Sequence, residues 1–151
     1  EYCETLGGEW DGIGSICEST CGATLIGACC LEDLCFDTPG EVEVVYSAGN
    51  AIYAGLKYSN GCIVTRLDED GTIINSQQFA LGYSIKGIHE HNGLLALAAG
   101  NDGILLYNWN GGTDVSFIGK IETSYANNVK VAGDIIFAAT EDGIEVIQID
   151  R

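Results

Sequence analysis

Gly61, Gly103 and Gly143 stand 42 and 40 residues apart, each preceded by Asn or Asp. Each is followed by an apolar run: Cys62-Ile63-Val64, Ile104-Leu105-Leu106-Tyr107 and Ile144-Glu145-Val146-Ile147. Each is also preceded by a similar run, Gly49-Asn50-Ala51-Ile52-Tyr53-Ala54, Gly93-Leu94-Leu95-Ala96-Leu97-Ala98 and Gly133-Asp134-Ile135-Ile136-Phe137-Ala138. Asn-Gly and Asp-Gly between such runs signal β-hairpins, because both central residues of the favoured tight turn need positive φ. A period near 40 built from short strands is that of a four-stranded propeller blade. This repetition restricts the fold more than any other feature of the chain.

The expected strands are 42–48, 51–58, 62–67 and 73–80 in the first repeat, and 84–90, 94–99, 104–109 and 115–122 in the second. The third offers 127–132, 135–139 and 144–149. The expected fold class is therefore all-β: tandem four-stranded propeller-like blades, forming an incomplete propeller, behind a disulfide-rich N-terminal segment. With no outer strand in the third repeat, Ile144, Val146, Ile147 and Ile149 are expected at an open edge whose backbone groups another strand would satisfy. Gly22-Ala23-Thr24-Leu25-Ile26-Gly27 resembles the outer strand of the second repeat, Val115-Ser116-Phe117-Ile118-Gly119. Ala23, Thr24, Leu25 and Ile26 are thus the candidate assembly strand, donated by the same chain or by a neighbouring copy.

The composition changes at Thr38-Pro39-Gly40, which holds the only proline. Residues 1–38 form a Cys-rich segment and residues 39–151 carry the repeats, at about 42–80, 84–122 and 127–151. Six of the seven cysteines, Cys3, Cys17, Cys21, Cys29, Cys30 and Cys35, fall in the first segment. A stretch too short for its own core, so dense in cysteine, points to disulfides and an oxidising compartment. A structural zinc site would bring paired C-x-x-C knuckles or nearby histidines, which this stretch lacks. Spacing does not choose the pairing. Cys62 is the odd one, placed in an apolar strand where a buried free thiol is expected.

Acidic residues number 22 against 6 basic ones, a formal net charge of -16. Such a chain repels phosphate backbones and anionic lipid, which argues against nucleic-acid partners. Nor is there an apolar run of membrane-spanning length, so membrane insertion is not expected. The sequence begins at Glu1 and contains no Met, and reads as a mature product or an excised portion of something longer. Export is inferred from the cysteines, giving an extracellular or cell-surface location.

Residues with chemistry are few. Asp68-Glu69-Asp70-Gly71 is the densest acidic turn, and Asp68 and Asp70 are the candidate calcium ligands, although the spacing is not that of a full calcium loop. No other cofactor is implied. His89 and His91 alternate onto one face of a strand, as two metal ligands or as a solvated strand end. Trp109, between Asn108 and Asn110, offers an aromatic platform flanked by amides, suited to a sugar ring or to capping the core edge. Nucleophile elbows, phosphate-cradling loops and zinc-protease motifs are all missing, so the chain is not expected to be an enzyme.

Residues 84–150, above all Gly103-Ile104-Leu105-Leu106-Tyr107-Asn108 and Gly143-Ile144-Glu145-Val146-Ile147-Gln148-Ile149-Asp150, resemble extracellular bacterial β-propeller repeats of the Leu-Val-Ile-Val-Asp type. Cys3-Glu4-Thr5-Leu6-Gly7-Gly8 through Cys17, with Gly27-Ala28-Cys29-Cys30, are similar to a small Cys-rich motif of exported bacterial proteins. In that motif the Gly-Ala-Cys-Cys element comes first; here the order is shifted, as in a unit cut from a repeating context. The resemblance implies a large surface protein, while the count of two blades and most of a third departs from closed propellers. The expected function is a structural subunit of an extracellular fibre or surface assembly, joined by strand complementation with other copies of itself into a homopolymer. The alternative is a glycan- or protein-binding module of a larger surface protein.

Overall fold

Alternation of apolar and polar residues, broken by glycine-bearing turns at short intervals, leaves this chain little but antiparallel meanders to form. A computed structural model of the protein bears this out. It describes residues 38–111 and 114–150, together with the backbone pairing of 17–18 with 24–25. The chain divides into two compact units, Glu1–Val42 and Glu43–Arg151, each taken by itself below.

In the first unit, β1 (Cys17–Glu18) pairs antiparallel with β2 (Thr24–Leu25). Thr24 and Leu25 thus hydrogen-bond within their own segment, whereas Ala23 and Ile26 lie outside the described residues. Cys3, Cys21, Cys29, Cys30 and Cys35 also lie outside them, and Cys17 is described only in its backbone pairing.

The second unit holds three consecutive meanders. The first sheet is β3 (Val42–Ala48), β4 (Ala51–Leu56), β5 (Cys62–Leu67) and β6 (Ile73–Phe79). The second is β7 (Gly87–His91), β8 (Leu94–Ala98), β9 (Ile104–Trp109) and β10 (Val115–Ile121). The third is β11 (Ala126–Ala132), β12 (Ile135–Thr140) and β13 (Gly143–Gln148). In each sheet, strands follow one another in space as they do in sequence.

The hairpins correct one detail of the sequence reading. Gly61, Gly103 and Gly143 do adopt positive φ, but Asn60, Asp102 and Asp142 do not. In the first repeat the left-handed pair is Tyr58 (φ 55) and Ser59 (φ 62), and the Asn60 amide closes that turn on the Lys57 carbonyl at 3.2 Å. The turn sits two residues ahead of the Asn-Gly dipeptide because β4 ends at Leu56, whose amide donates to the Gly61 carbonyl at 2.8 Å.

Two apolar layers hold the sheets face to face. Tyr53, Cys62 and Val64 of the first sheet pack against Ile88, Leu95, Leu97, Leu105 and Tyr107 of the second. The opposite face of the second sheet, Leu94, Ala96, Ala98, Ile104 and Leu106, packs against Val129, Val131, Ile136 and Ala138 of the third. The second sheet is covered on both faces, which is why β8 reads as an unbroken apolar run instead of an alternating one. Backbone bonds tie successive sheets: Ile85 N–H to the Leu56 carbonyl at 3.0 Å, and a reciprocal pair between Gly100 and Ala126 at 2.9 and 3.0 Å.

Candidate functional site

Three residues occupy the same place in the repeat, each three positions before the first hairpin loop of its sheet: Tyr46, His89 and Lys130. They meet. The Tyr46 and His89 rings lie 5.4 Å apart, and the Lys130 ammonium stands 5.8 Å from the Tyr46 ring centroid. The first strands of all three sheets therefore converge on one line. His89 Nδ1 accepts the Val131 amide at 3.0 Å, linking the second sheet to the third, and the Tyr46 hydroxyl donates to the Glu90 carbonyl at 3.2 Å. Burial, reinforced by the nearby Lys130 and His91 charges, holds the His89 imidazole below its ordinary range. Burial pushes the Tyr53 phenol upward, helped by the Glu90 carboxylate, and its hydroxyl finds no hydrogen-bond partner among the described residues.

The other sequence candidates are dispersed. Asp68 Oδ1 accepts the amides of Asp70 at 3.0 Å and Thr72 at 2.8 Å, an arrangement by which the carboxylate closes its own loop. Among the described residues, no group of three or more His, Cys, Asp or Glu side chains is placed to hold a metal ion. His91 Nε2 lies 3.1 Å from the Asn92 amide nitrogen, while His89 faces the strand junction. Cys62 is buried and free, its thiol raised by burial.

Trp109 is half-buried, its ring edge-to-face with Tyr53 at 5.7 Å, and packs against the first apolar layer. On its open side lies a groove of about 520 Å³ lined by Asn92, Gly93, Asn108, Asn110, Asp114, Val115 and Ser116. An indole beside amides and a carboxylate is chemically suited to a polyol.

The third sheet holds what sequence reasoning only half anticipated. Ile149 N–H donates to the Asp134 carbonyl at 2.9 Å, as Trp109 donates to Gly93 and Leu67 to Asn50, each at 2.8 Å. Antiparallel alternation then turns the amides of Ile144, Val146 and Gln148 away from β12. In the first two sheets the corresponding edges of β5 and β9 carry β6 and β10; among the described residues, none pairs with the outer edge of β13. The four residues expected at this edge divide: Ile147 and Ile149 pack into the second apolar layer, while Ile144 and Val146 stand in solvent. Glu145, at the position of Leu105, is half-buried and accepts both the amide and the hydroxyl of Ser124 at 3.1 Å.

These observations define an all-β protein, with three antiparallel sheets in its second unit and no helices among the described residues. No protein-family model and no curated protein matches the chain. Its fold is similar to the crystal structure of the computationally designed Ika4 protein, with a TM-score of 0.57 at 14% identity over 76% of this chain and 69% of that one.

Proposed function

We propose that this protein is a structural subunit of an extracellular fibre or surface assembly, built from an incomplete set of propeller-like blades and completed by other copies of itself. The observation that carries the reading is the outer edge of β13, where the amides of Ile144, Val146 and Gln148 face outward and no fourth strand pairs among the described residues. An uncovered edge of this kind is a template for strand addition from a neighbour. The convergence of Tyr46, His89 and Lys130 supports blades that radiate from a common line. The resemblance to extracellular propeller repeats and the clustering of six cysteines before residue 36 support export to an oxidising compartment.

Negative-stain microscopy with sedimentation of the full chain tests the reading. Filaments or large particles are expected, and Gln148→Pro, which removes an outward donor without touching a bond to β12, is expected to suppress them. A wild-type chain that stays monomeric at high concentration overturns the proposal.

A second reading, a glycan-binding module without catalytic activity, rests on the groove beside Trp109. A calcium ion at Asp68 and Asp70 has less support, since the amides of Asp70 and Thr72 already occupy Asp68 Oδ1.

A further inference from the structure

Tyr46, His89 and Lys130 share one place in the repeat, and the first two spend their polar groups in the same way. Each bonds the backbone of the following sheet one position further along. The Tyr46 hydroxyl donates to the Glu90 carbonyl at 3.2 Å, and His89 Nδ1 accepts the Val131 amide at 3.0 Å. Lys130 breaks the series. Its ammonium stands over the Tyr46 ring, 5.8 Å from the centroid, and among the described residues it makes no hydrogen bond or ion pair.

In a chain with 22 acidic residues this sets Lys130 apart. Lys57, Lys86 and Lys120 each pair with a carboxylate, at distances between 3.2 and 3.6 Å. An aromatic face attracts a cation but offers no lone pair in its place, so the three N–H donors of Lys130 are left without an acceptor among the described residues. A second donor stands in the same neighbourhood. The bond from Val131 leaves the proton of the neutral His89 ring on Nε2, and no described residue accepts it. The His89 ring lies 5.4 Å from the ring of Tyr46, the same ring that Lys130 covers. The adjacent carboxylate, Glu90, is turned to the hairpin loop, where its Oε1 accepts the Gly93 amide at 2.8 Å.

We infer that Lys130 and His89 form an oxyanion site on the line where the three first strands converge, and that it takes a small carboxylate or a phosphate. Lys130 Nζ supplies the charge and a charge-assisted hydrogen bond; His89 Nε2–H supplies a second, directional one. The formal net charge of -16 does not forbid this, because charges beyond about 8 Å are screened at physiological salt and the local donors set the field. The site is independent of the assembly reading, since neither residue belongs to β13.

Isothermal titration calorimetry of the full chain at about pH 7.5, where the His89 ring is neutral, tests the inference with sodium phosphate and with sodium acetate, each against sodium chloride at matched ionic strength. Saturable binding of one oxyanion or both is expected, and the arm that saturates names the ligand class. Lys130→Gln, an exposed position, should raise the half-saturating concentration about tenfold or more. Lys120→Gln removes an equal charge from a lysine already paired with Asp102 and Glu122, and should bind like wild type. His89→Phe, confirmed as folded by circular dichroism, should weaken binding as well. The inference falls if neither oxyanion saturates beyond chloride, or if Lys120→Gln weakens binding as much as Lys130→Gln, which would make net charge the cause. Binding unchanged in Lys130→Gln or in folded His89→Phe also overturns it, because both donors are required. Filaments seen with no oxyanion bound would leave the assembly reading standing alone.

Discussion

The backbone amide of Val131 donates to Nδ1 of His89 at 3.0 Å, across 42 residues of chain and from one sheet to the next. The bond requires an unprotonated Nδ1, so it assigns the proton of the neutral ring to Nε2. Lys130, adjacent to the donor, and His91, two residues along β7, both oppose a positive charge on the ring, while Glu90 favours it; burial is the largest influence and also opposes it.

The His89 pKa in the folded state is therefore lowered from its ordinary 6.5. Above that value neither state binds the proton and the residue contributes no pH dependence. As pH falls through 6.5 the unfolded chain takes up the proton first, so stability declines, with a slope of up to about 1.4 kcal/mol per pH unit until the folded state is protonated too. His89→Gln keeps an acceptor that does not titrate. Thermal unfolding between about pH 7 and pH 5 should show a steeper loss of Tm in wild type than in His89→Gln. Parallel profiles would mean that the proton enters without breaking the junction.

Gly87 reports how closely the first strands approach. A Cβ at this position would stand 2.7 Å from both the Cα and the Oδ1 of Asn128, so β7 and β11 are in backbone contact there. Gly87→Ala forces them apart and should cost about 1–3 kcal/mol, the range of overpacked cores. Gly119 in β10 has nothing within 4 Å of a Cβ and makes the control. Gly119→Ala should change stability by less than about 1 kcal/mol in either direction. Denaturant midpoints at constant slope measure both, and equal midpoints would place the two sheets farther apart at Gly87 than described.

Much of this architecture was legible in the residues themselves. Strand order, sheet membership and the bounds of β3, β5 and β9 follow from turn glycines at a fixed period and from alternation between them, both local properties. The left-handed Tyr58-Ser59 pair escaped, because strand ends are set by pairing across the hairpin and Asn-Gly is only a preference within it. The role of His89 was out of reach for another reason. Its partner lies 42 residues away, and metal-ligand spacing along one strand says nothing about which amide a neighbouring sheet presents. At the third sheet, the sequence identified an apolar strand but not its two faces. Separating Ile147, buried with the second layer, from Ile144 and Val146 needs to be known from where the adjacent sheet sits.

Tyr53 carries a hydroxyl that is buried without a partner among the described residues, while its ring packs against Tyr46 and Trp109 at 6.1 and 5.7 Å. The ring contributes packing; the hydroxyl contributes only the cost of leaving water. Tyr53→Phe should leave stability unchanged or raise it by about 1 kcal/mol. A loss greater than that, measured by urea unfolding, would show that the hydroxyl is hydrogen-bonded in solution.

Trp109 allows the two functional readings to be separated, because one side chain would serve both. Its position in the repeat is that of Leu67 in β5 and of Ile149 beyond β13, and Ile149 packs on the adjacent sheet, so a core-edge role follows from the fold alone. Trp109→Ala removes the edge-to-face contact with Tyr53 and should cost about 2 kcal/mol, less than a fully buried aromatic because the ring is half-exposed. Loss of glycan binding in that variant would therefore be ambiguous, since packing around the groove is lost with it. Asp114 lines the same groove and is exposed, so Asp114→Ala should leave the unfolding midpoint where it is. On the assembly reading, a glycan array finds no binding that depends on Asp114. Binding by wild type that disappears in Asp114→Ala at unchanged stability would instead make the groove a sugar site and the outer edge of β13 a secondary matter.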